Sequence, residues 1–182
     1  MPQKTKLGLI YGSAREGRFC DTMVNWVAAE IVNDGRFVAN SIDPRDLDKS
    51  RAEIGHRFDE ADAFLIVTPE YNHGYTGALK SLIDAYNQQW QIKPIAFVSY
   101  GGVSGGLRAV EQLRLVFAEL HAVGIRDTVS FANPWNRFDS AGALVEPKDA
   151  QRAMTTLLAR LHWWAVTLRD ARATSSYFEV AA

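Results

Sequence analysis

Three short runs of apolar residues dominate the hydrophobic pattern of the chain, at Leu7–Tyr11, Ala63–Val67 and Ile95–Tyr100. Each run is apolar at consecutive positions, whereas a strand with one face in water alternates between apolar and polar residues. The runs therefore predict strands covered on both faces, as in the parallel sheet of an α/β fold. Two weaker strands are predicted at Arg36–Ile42 and Ile125–Phe131, and the less regular pattern of the first suits a position near a sheet edge.

Apolar residues at helical spacing occupy the intervals between the strands. The predicted helices are Asp21–Asn33, Asp48–Glu60, Gly77–Gln89, Leu107–Val123 and about Pro147–Arg172. The sequence Asn33-Asp34-Gly35 is a stop signal for the first helix, and Gly124 is expected to cap the fourth. This alternation predicts a doubly wound sheet with helices on both faces and right-handed crossovers. We expect a single domain over residues 1–182, with its core at about 5–172.

The composition narrows the functional classes. The chain has 182 residues with 20 Lys and Arg against 21 Asp and Glu, and this balance argues against a nucleic-acid-binding protein. The single cysteine, Cys20, excludes an intramolecular disulfide and a four-cysteine zinc site. The first residues resemble a strand more than a signal peptide, and no run reaches the roughly 20 apolar residues of a membrane span. We therefore expect a cytoplasmic protein that does not enter a membrane.

In an open α/β sheet, ligands bind at the carboxyl ends of the strands. The first strand is followed by GSAREGRFC and then by a helix, whose first N–H groups favour anions. Ser13 adds a hydroxyl, and Arg15 and Arg18 add charged donors suited to phosphate oxygens. This loop predicts a phosphate site, although it is also compatible with a polar turn whose arginines pair with Glu16 or Asp21. It contains neither a nucleoside-triphosphatase nor a dinucleotide-binding motif.

Two further loops follow strong strands. Residues 68–77, TPEYNHGYTG, form a turn whose backbone could contact a flat heterocycle, or a packed loop whose tyrosines cover the next helix. Residues 99–106, SYGGVSGG, contain four glycines, which permit close backbone approach to a ligand or merely a flexible turn before a helix. Because all three loops leave the same edge of the predicted sheet, a shared binding site is favoured.

Other candidate groups have structural interpretations. The histidines show no metal-ligand or catalytic spacing, and only one of the four, His73, lies beside the predicted pocket, where it is expected on the substrate face. Cys20 has no second cysteine with which a redox cycle could be completed. The segment Asn133–Pro147 is the longest irregular stretch and is expected to be a surface flap or an oligomer contact.

With these motifs in view, the chain resembles the NADPH-dependent FMN reductase family, a flavodoxin-like group of flavin, quinone, azo and chromate reductases. The resemblance covers about Lys6–Asn133. It is carried by Gly12-Ser13-x-Arg15, by Thr68–Asn72 followed by Gly77–Lys80, and by Ser99–Gly102. It implies a five-stranded sheet in the order 2-1-3-4-5, a noncovalently bound FMN, and NADPH or NADH as the reductant.

The resemblance also implies which residues bind the cofactor. These are Ser13, Arg15, Arg18, Phe19, Cys20, Pro69, Glu70, Tyr71, Asn72, Ser99, Tyr100, Gly101 and Gly102. The first five would hold or close over the phosphate, the next four would line the isoalloxazine and ribityl chain, and the last four would meet the pyrimidine edge. Many relatives have Ser-Phe-Asn where this chain has Arg18-Phe19-Cys20, and Arg18 is expected to compensate.

The implied activity is an FMN-dependent NAD(P)H oxidoreductase that passes electrons to a small-molecule flavin, quinone, azo or metal-oxyanion acceptor. The cofactor carries this chemistry, so no catalytic side chain and no metal is expected. Relatives form dimers or pairs of dimers, which implies a homodimer or homotetramer here. Two alternatives remain, a flavodoxin-type electron carrier and a non-catalytic FMN-binding protein.

Overall fold

The computed structural model describes residues 4–48 and 50–179, and its central feature is a parallel sheet. Its strands are β1 (Thr5–Tyr11), β2 (Phe37–Ile42), β3 (Ala63–Pro69), β4 (Pro94–Gly101) and β5 (Val123–Ala132). All neighbouring strands pair in parallel, in the order β2-β1-β3-β4-β5. The predicted fold class and strand order are therefore confirmed. Strand β2 lies at an edge, and only its first and last residues, Phe37 and Ile42, are buried, which agrees with its weaker hydrophobic pattern.

Helices connect the strands on both faces of the sheet. They are α1 (Cys20–Asp34), α2 (Arg51–Glu60), α3 (Gly77–Asp84), α4 (Leu107–Glu119) and α5 (Lys148–Thr174). Helices α1 and α5 cover one face, and α2, α3 and α4 cover the other. Consecutive residues of each strand therefore enter opposite cores, for example Leu65 and Ile66 of β3. This arrangement explains why the strong strands are apolar at every position. A single domain over the whole chain stays a prediction.

Two predicted helix ends were wrong. Helix α3 ends at Asp84, and a separate 3₁₀ turn, Gln88–Trp90, continues the buried apolar pattern without continuing the helix. Helix α4 ends at Glu119, and His121 takes a positive φ of 55° in the turn that follows. Gly124 is therefore not a cap but a residue of β5, paired with Ile95. In both cases apolar periodicity persists past the helix because the turn is also packed against the core.

The first stop signal was confirmed, because Gly35 ends α1 in the left-handed conformation at φ 77° and donates its N–H to the Ile31 carbonyl. Within the described ranges, 4–48 and 50–179, no helix is both long enough and apolar enough to cross a membrane.

Candidate functional site

Three loops meet at the carboxyl edge of the sheet, the edge at which the strands end. The first loop (12–19) joins β1 to α1, the second (70–76) joins β3 to α3, and the third (102–106) joins β4 to α4. Hydrogen bonds link them in turn. The Thr76 hydroxyl donates to the Gly12 carbonyl at 2.6 Å, and the Ser104 hydroxyl donates to the Glu70 carboxylate at 2.6 Å. The loops therefore form one continuous surface, as their positions in the sequence predicted.

The first loop offers N–H donors that the described part of the chain does not use. Within residues 4–48 and 50–179, the N–H groups of Ala14 and Gly17 have no acceptor. The Arg15 N–H donates to the Ser13 hydroxyl oxygen at 3.3 Å, and that hydroxyl shares a 3.0 Å hydrogen bond with the phenol of Tyr71. The Arg15 side chain is exposed. These N–H groups lie in the loop that leads into α1, beside an exposed arginine, and suit an anion such as a phosphate.

Arg18 lies in the same loop, but its environment is different. Its side chain is only 1% exposed and forms ion pairs with Asp43 at 2.5 Å and with Asp21 at 2.7 Å. The pairing with Asp21 that the sequence allowed is therefore present for this arginine. Burial alone would raise the pKa of Asp43, but its hydrogen bonds from Arg18 and Arg45 outweigh burial and lower that pKa below its usual value.

Phe19, Cys20 and Tyr100 pack together beneath the first loop. The rings of Phe19 and Tyr100 are 6.0 Å apart, and the Cys20 thiol donates to the Val67 carbonyl at 3.6 Å. Burial raises the pKa of the Cys20 thiol and so disfavours a reactive thiolate. Tyr100 is 5% exposed, and its hydroxyl has no hydrogen-bond partner in the described part of the chain. A buried polar group without a partner is a site where a ligand or water oxygen would fit.

The second loop contains a tight reversal of the chain. The N–H of Tyr71 donates to the Gly74 carbonyl at 2.9 Å, and the Gly74 N–H returns a bond to the Tyr71 carbonyl at 3.1 Å. Asn72 and His73 between them both have positive φ, which defines a two-residue turn of the I′ kind. The turn holds Tyr71, whose side chain is 38% exposed, beside the first loop. The ordered turn predicted here is present.

Glu70 faces away from open solvent and joins the second loop to the third. Its carboxylate accepts hydrogen bonds from the Ser104 hydroxyl, from the Arg108 N–H at 3.1 Å and from the Arg108 guanidinium at 2.7 Å. Burial would raise the pKa of Glu70, but these donors outweigh burial and lower it. Because Gly106 at the start of α4 has no side chain to cap the helix, Glu70 does so from a distant part of the sequence.

The third loop is closed tightly at one end and open in the middle. Ser99 and Ser130 both donate to the Gly105 carbonyl, at 2.9 and 2.8 Å. A Cβ on Gly101 would lie 3.2 Å from the Gly106 nitrogen, whereas a Cβ on Gly102 would have no atom of the described residues, other than its chain neighbours, within 4 Å. The backbone at Gly102 is therefore accessible to a flat ligand, while Ser99 and Gly101 shape the loop from within.

Four residues that hold these loops together were missed in the sequence: Asp43, Thr76, Ser104 and Arg108. Two of them carried a readable signal. Asp43 follows a predicted strand and so belongs to the carboxyl edge. Thr76 precedes a predicted helix, and its hydroxyl accepts the Leu79 N–H at 3.1 Å as an N-cap. The partners of Glu70 had no such signal, because their contact depends on how two loops fold against each other.

The arrangement fits a ligand with a phosphate at one end and a flat ring at the other. Among the residues that the structure describes, the first loop has N–H groups without acceptors beside Arg15, the Tyr100 hydroxyl lacks a partner, and Gly102 leaves space for a ring edge. These are the features that an FMN site needs. Whether each of the 13 residues named in the sequence contacts the cofactor stays a prediction.

Comparison with known proteins places the chain in a family. It is 32% identical over 120 residues to an NAD(P)H-dependent FMN reductase of Schizosaccharomyces pombe and 39% identical over 110 residues to an NAD(P)H:quinone oxidoreductase of Solanum tuberosum. These alignments cover 56% and 57% of this chain, but only 60% and 56% of the relatives.

Over its length, the fold matches that of a flavoenzyme NAD(P)H:(acceptor) oxidoreductase from Paracoccus denitrificans, with a TM-score of 0.73 at 21% identity, covering 90% of this chain and 98% of the other. A model of the NADPH-dependent FMN reductase family matches residues 5–136, which include all three loops. The chain therefore belongs to the NADPH-dependent FMN reductase family.

Proposed function

We propose that this protein is an FMN-dependent NAD(P)H oxidoreductase that reduces a small-molecule acceptor, with quinones as the acceptor class to test first. The observation that carries the proposal is the meeting of three family-motif loops at one edge, which carries Arg15, the open backbone at Gly102 and N–H groups that have no acceptor in residues 4–48 and 50–179. Family membership and the names of the relatives, which include FMN and quinone reductases, support the same activity.

The roles of the residues follow from their environments. The N–H groups of the first loop, the Ser13 hydroxyl and Arg15 would hold the phosphate, and Tyr100, with the rest of Ser99–Gly102, would meet the pyrimidine edge. The Pro69–Asn72 backbone and Gly102 would contact the ring system. When bound, FMN supplies the hydride and electron transfer, so the protein provides binding and orientation. No side chain is assigned a proton-transfer step.

Bound flavin and its response to nicotinamides test the proposal. The purified protein should be yellow, heat should release FMN rather than riboflavin, and anaerobic NADPH or NADH should bleach the flavin absorbance. A quinone added afterwards should restore the absorbance. Retained FMN that neither nicotinamide bleaches would instead indicate a flavodoxin-type carrier, and a protein without affinity for FMN would contradict the proposal.

We also propose a homodimer or homotetramer in the cytoplasm, where NAD(P)H is supplied by metabolism. Support comes from exposed apolar side chains on the segments that leave the carboxyl edge, namely Val103, Leu107 and Trp135. The mass in solution, measured by light scattering, decides the oligomeric state. A monomeric wild-type protein would contradict the proposed oligomer. If the surface with Val103, Leu107 and Trp135 is buried between subunits, Trp135→Gln should shift the measured mass toward that of the monomer.

A further inference from the structure

The buried guanidinium of Arg18 is already saturated by the protein itself. Its Nε donates to Asp21 at 2.8 Å, its Nη1 and Nη2 donate to the two oxygens of Asp43 at 2.9 and 2.5 Å, and it stacks on the ring of Tyr11 at 4.5 Å. This geometry uses the planar fork of arginine fully. It leaves little donor capacity for a phosphate.

The same guanidinium holds one peptide group of the first loop. Nη1 of Arg18 also donates to the carbonyl of Ser13. Because a trans peptide is planar and its C=O and N–H point in opposite directions, fixing the Ser13 carbonyl on Arg18 turns the N–H of Ala14 away from Arg18. That N–H has no acceptor among residues 4–48 and 50–179. Arg18 thereby orients a donor that is free for a ligand.

The charges around Arg18 cancel. Asp21 and Asp43 carry two negative charges, and Arg18 and Arg45 carry two positive charges within ion-pair distance of them. The cluster therefore adds no net positive charge to the site, whereas Arg15 is exposed and outside it. Attraction for an anion must come from Arg15 and from oriented N–H groups.

From these contacts we infer that Arg18 is a positioning residue for the phosphate-binding loop, acting through the Ser13–Ala14 peptide, and that Asp43 is required to hold it in place. The inference rests on the proposed function, since it assumes that the first loop binds the phosphate of FMN. It assigns the phosphate itself to the loop N–H groups and Arg15.

Replacing Asp43 gives a test in which the two possible roles of Arg18 predict opposite signs. If Arg18 binds phosphate directly, Asp43→Asn removes a competing negative charge and should tighten FMN binding. If Arg18 positions the loop, the same change releases the guanidinium and the Ser13 carbonyl, so FMN should bind about tenfold more weakly or worse. The measurement is quenching of flavin fluorescence on titration with full-length protein freed of flavin.

Riboflavin, which lacks the phosphate, distinguishes a displaced phosphate-binding loop from a general loss of structure in the variant. Asp43→Asn should change the riboflavin affinity less than about twofold, because riboflavin makes no contact through a phosphate. A general loss of structure would instead weaken the binding of FMN and riboflavin alike. Asp46→Asn, an exposed carboxylate on the same turn, is the charge-matched control and should leave FMN binding unchanged. Tighter or unchanged FMN binding in Asp43→Asn, or equal weakening of FMN and riboflavin, overturns the inference.

Arg18→Lys provides a second variant should Asp43→Asn not fold. It keeps the positive charge but cannot bridge both oxygens of Asp43 and the Ser13 carbonyl. Positioning predicts a tenfold loss of FMN affinity here too, whereas near wild-type affinity overturns it. Wild-type protein that does not bind FMN would overturn the proposed function itself, so the two failures are separate.

Discussion

The two edges of the sheet treat their polar groups in opposite ways. At the amino edge, Lys93 is buried and donates to the Phe58 carbonyl at 2.8 Å, and Asp62 accepts from the Lys6 N–H at 2.9 Å and from Arg169 at 3.3 Å. At the carboxyl edge, loop N–H groups and a buried tyrosine hydroxyl lack partners within the described ranges. The polar groups of the amino edge are paired within the protein, whereas the carboxyl edge leaves donors that a ligand can use.

The amino edge gives the largest expected effect, through the pH dependence of stability. Burial lowers the pKa of Lys93 to about 8, whereas the pKa of a lysine in the unfolded chain is about 10.4. Between these values the unfolded chain binds more protons, so stability rises with pH across the window. At about 1.4 kcal/mol per pKa unit, the wild type should gain up to about 3 kcal/mol relative to Lys93→Met. Urea unfolding of both proteins at pH 7.5 and pH 10 measures the gain, and a constant difference between them would contradict it.

The second largest expected effect is a loss of FMN affinity at the carboxyl edge without a loss of stability. Gly102→Val places a side chain in open space where a ring edge is proposed, so FMN affinity should fall about 100-fold, roughly 2.7 kcal/mol, while the melting temperature is unchanged. Gly101→Val is the contrasting variant. Its side chain would press on the Gly106 nitrogen and the Glu70 Cβ, and it should lower the melting temperature as well. FMN binding unaffected by Gly102→Val would place the ring elsewhere.

Removing an exposed cation should have a smaller effect. Arg15→Ala deletes one charge-assisted hydrogen bond to a phosphate and should weaken FMN binding by about 2 kcal/mol. Its unfolding free energy should stay within about 0.5 kcal/mol of wild type because the side chain is exposed. Arg152→Ala on α5, also exposed, is the matched control for charge. Equal FMN affinities of the two variants would remove Arg15 from the site.

The smallest effect sharpens the role of Glu70. Its lowered pKa means that it stabilises the fold above the pKa of an unfolded glutamate, and that this stabilisation is lost as the pH falls through the folded pKa. Wild type should therefore exceed Glu70→Gln by about 1 kcal/mol at pH 7, and the difference should shrink in acid. Thermal unfolding of both proteins from pH 7 to pH 3 tests this. A difference that persists unchanged in acid would show that charge is not involved.

Much of the fold could be predicted because buried parallel strands have a distinctive pattern. The runs containing Leu65 and Phe97 are apolar on both faces, and topology then brings the loops after them to one edge. The helix ends could not be predicted as well, because Trp90 is buried from a turn rather than a helix. Apolar spacing reports burial, not hydrogen bonding.

The site was predictable at the level of loops but not of side chains. Arg15 and Arg18 stand in the same polar loop, and Arg18 is set apart by its pairing with Asp21 and with Asp43, which lies 25 residues beyond it. Similarly, Glu70 directly follows β3, as a pocket residue would, yet its partner Arg108 lies on α4, beyond the next strand. Such roles depend on long-range charge pairing, which local patterns do not encode.

The capping of α4 by Glu70 also determines which way round a ligand can enter. Three helices begin at these loops with their positive poles directed toward them. The Glu70 carboxylate neutralises the pole of α4 and the Thr76 hydroxyl caps α3, whereas the loop before α1 keeps N–H groups without acceptors within the described ranges. The electrostatic potential at this edge is therefore more positive beside α1 than beside α4. A molecule with one anionic end is drawn to α1 by that end, and its neutral end is left to lie along the glycine-rich turn.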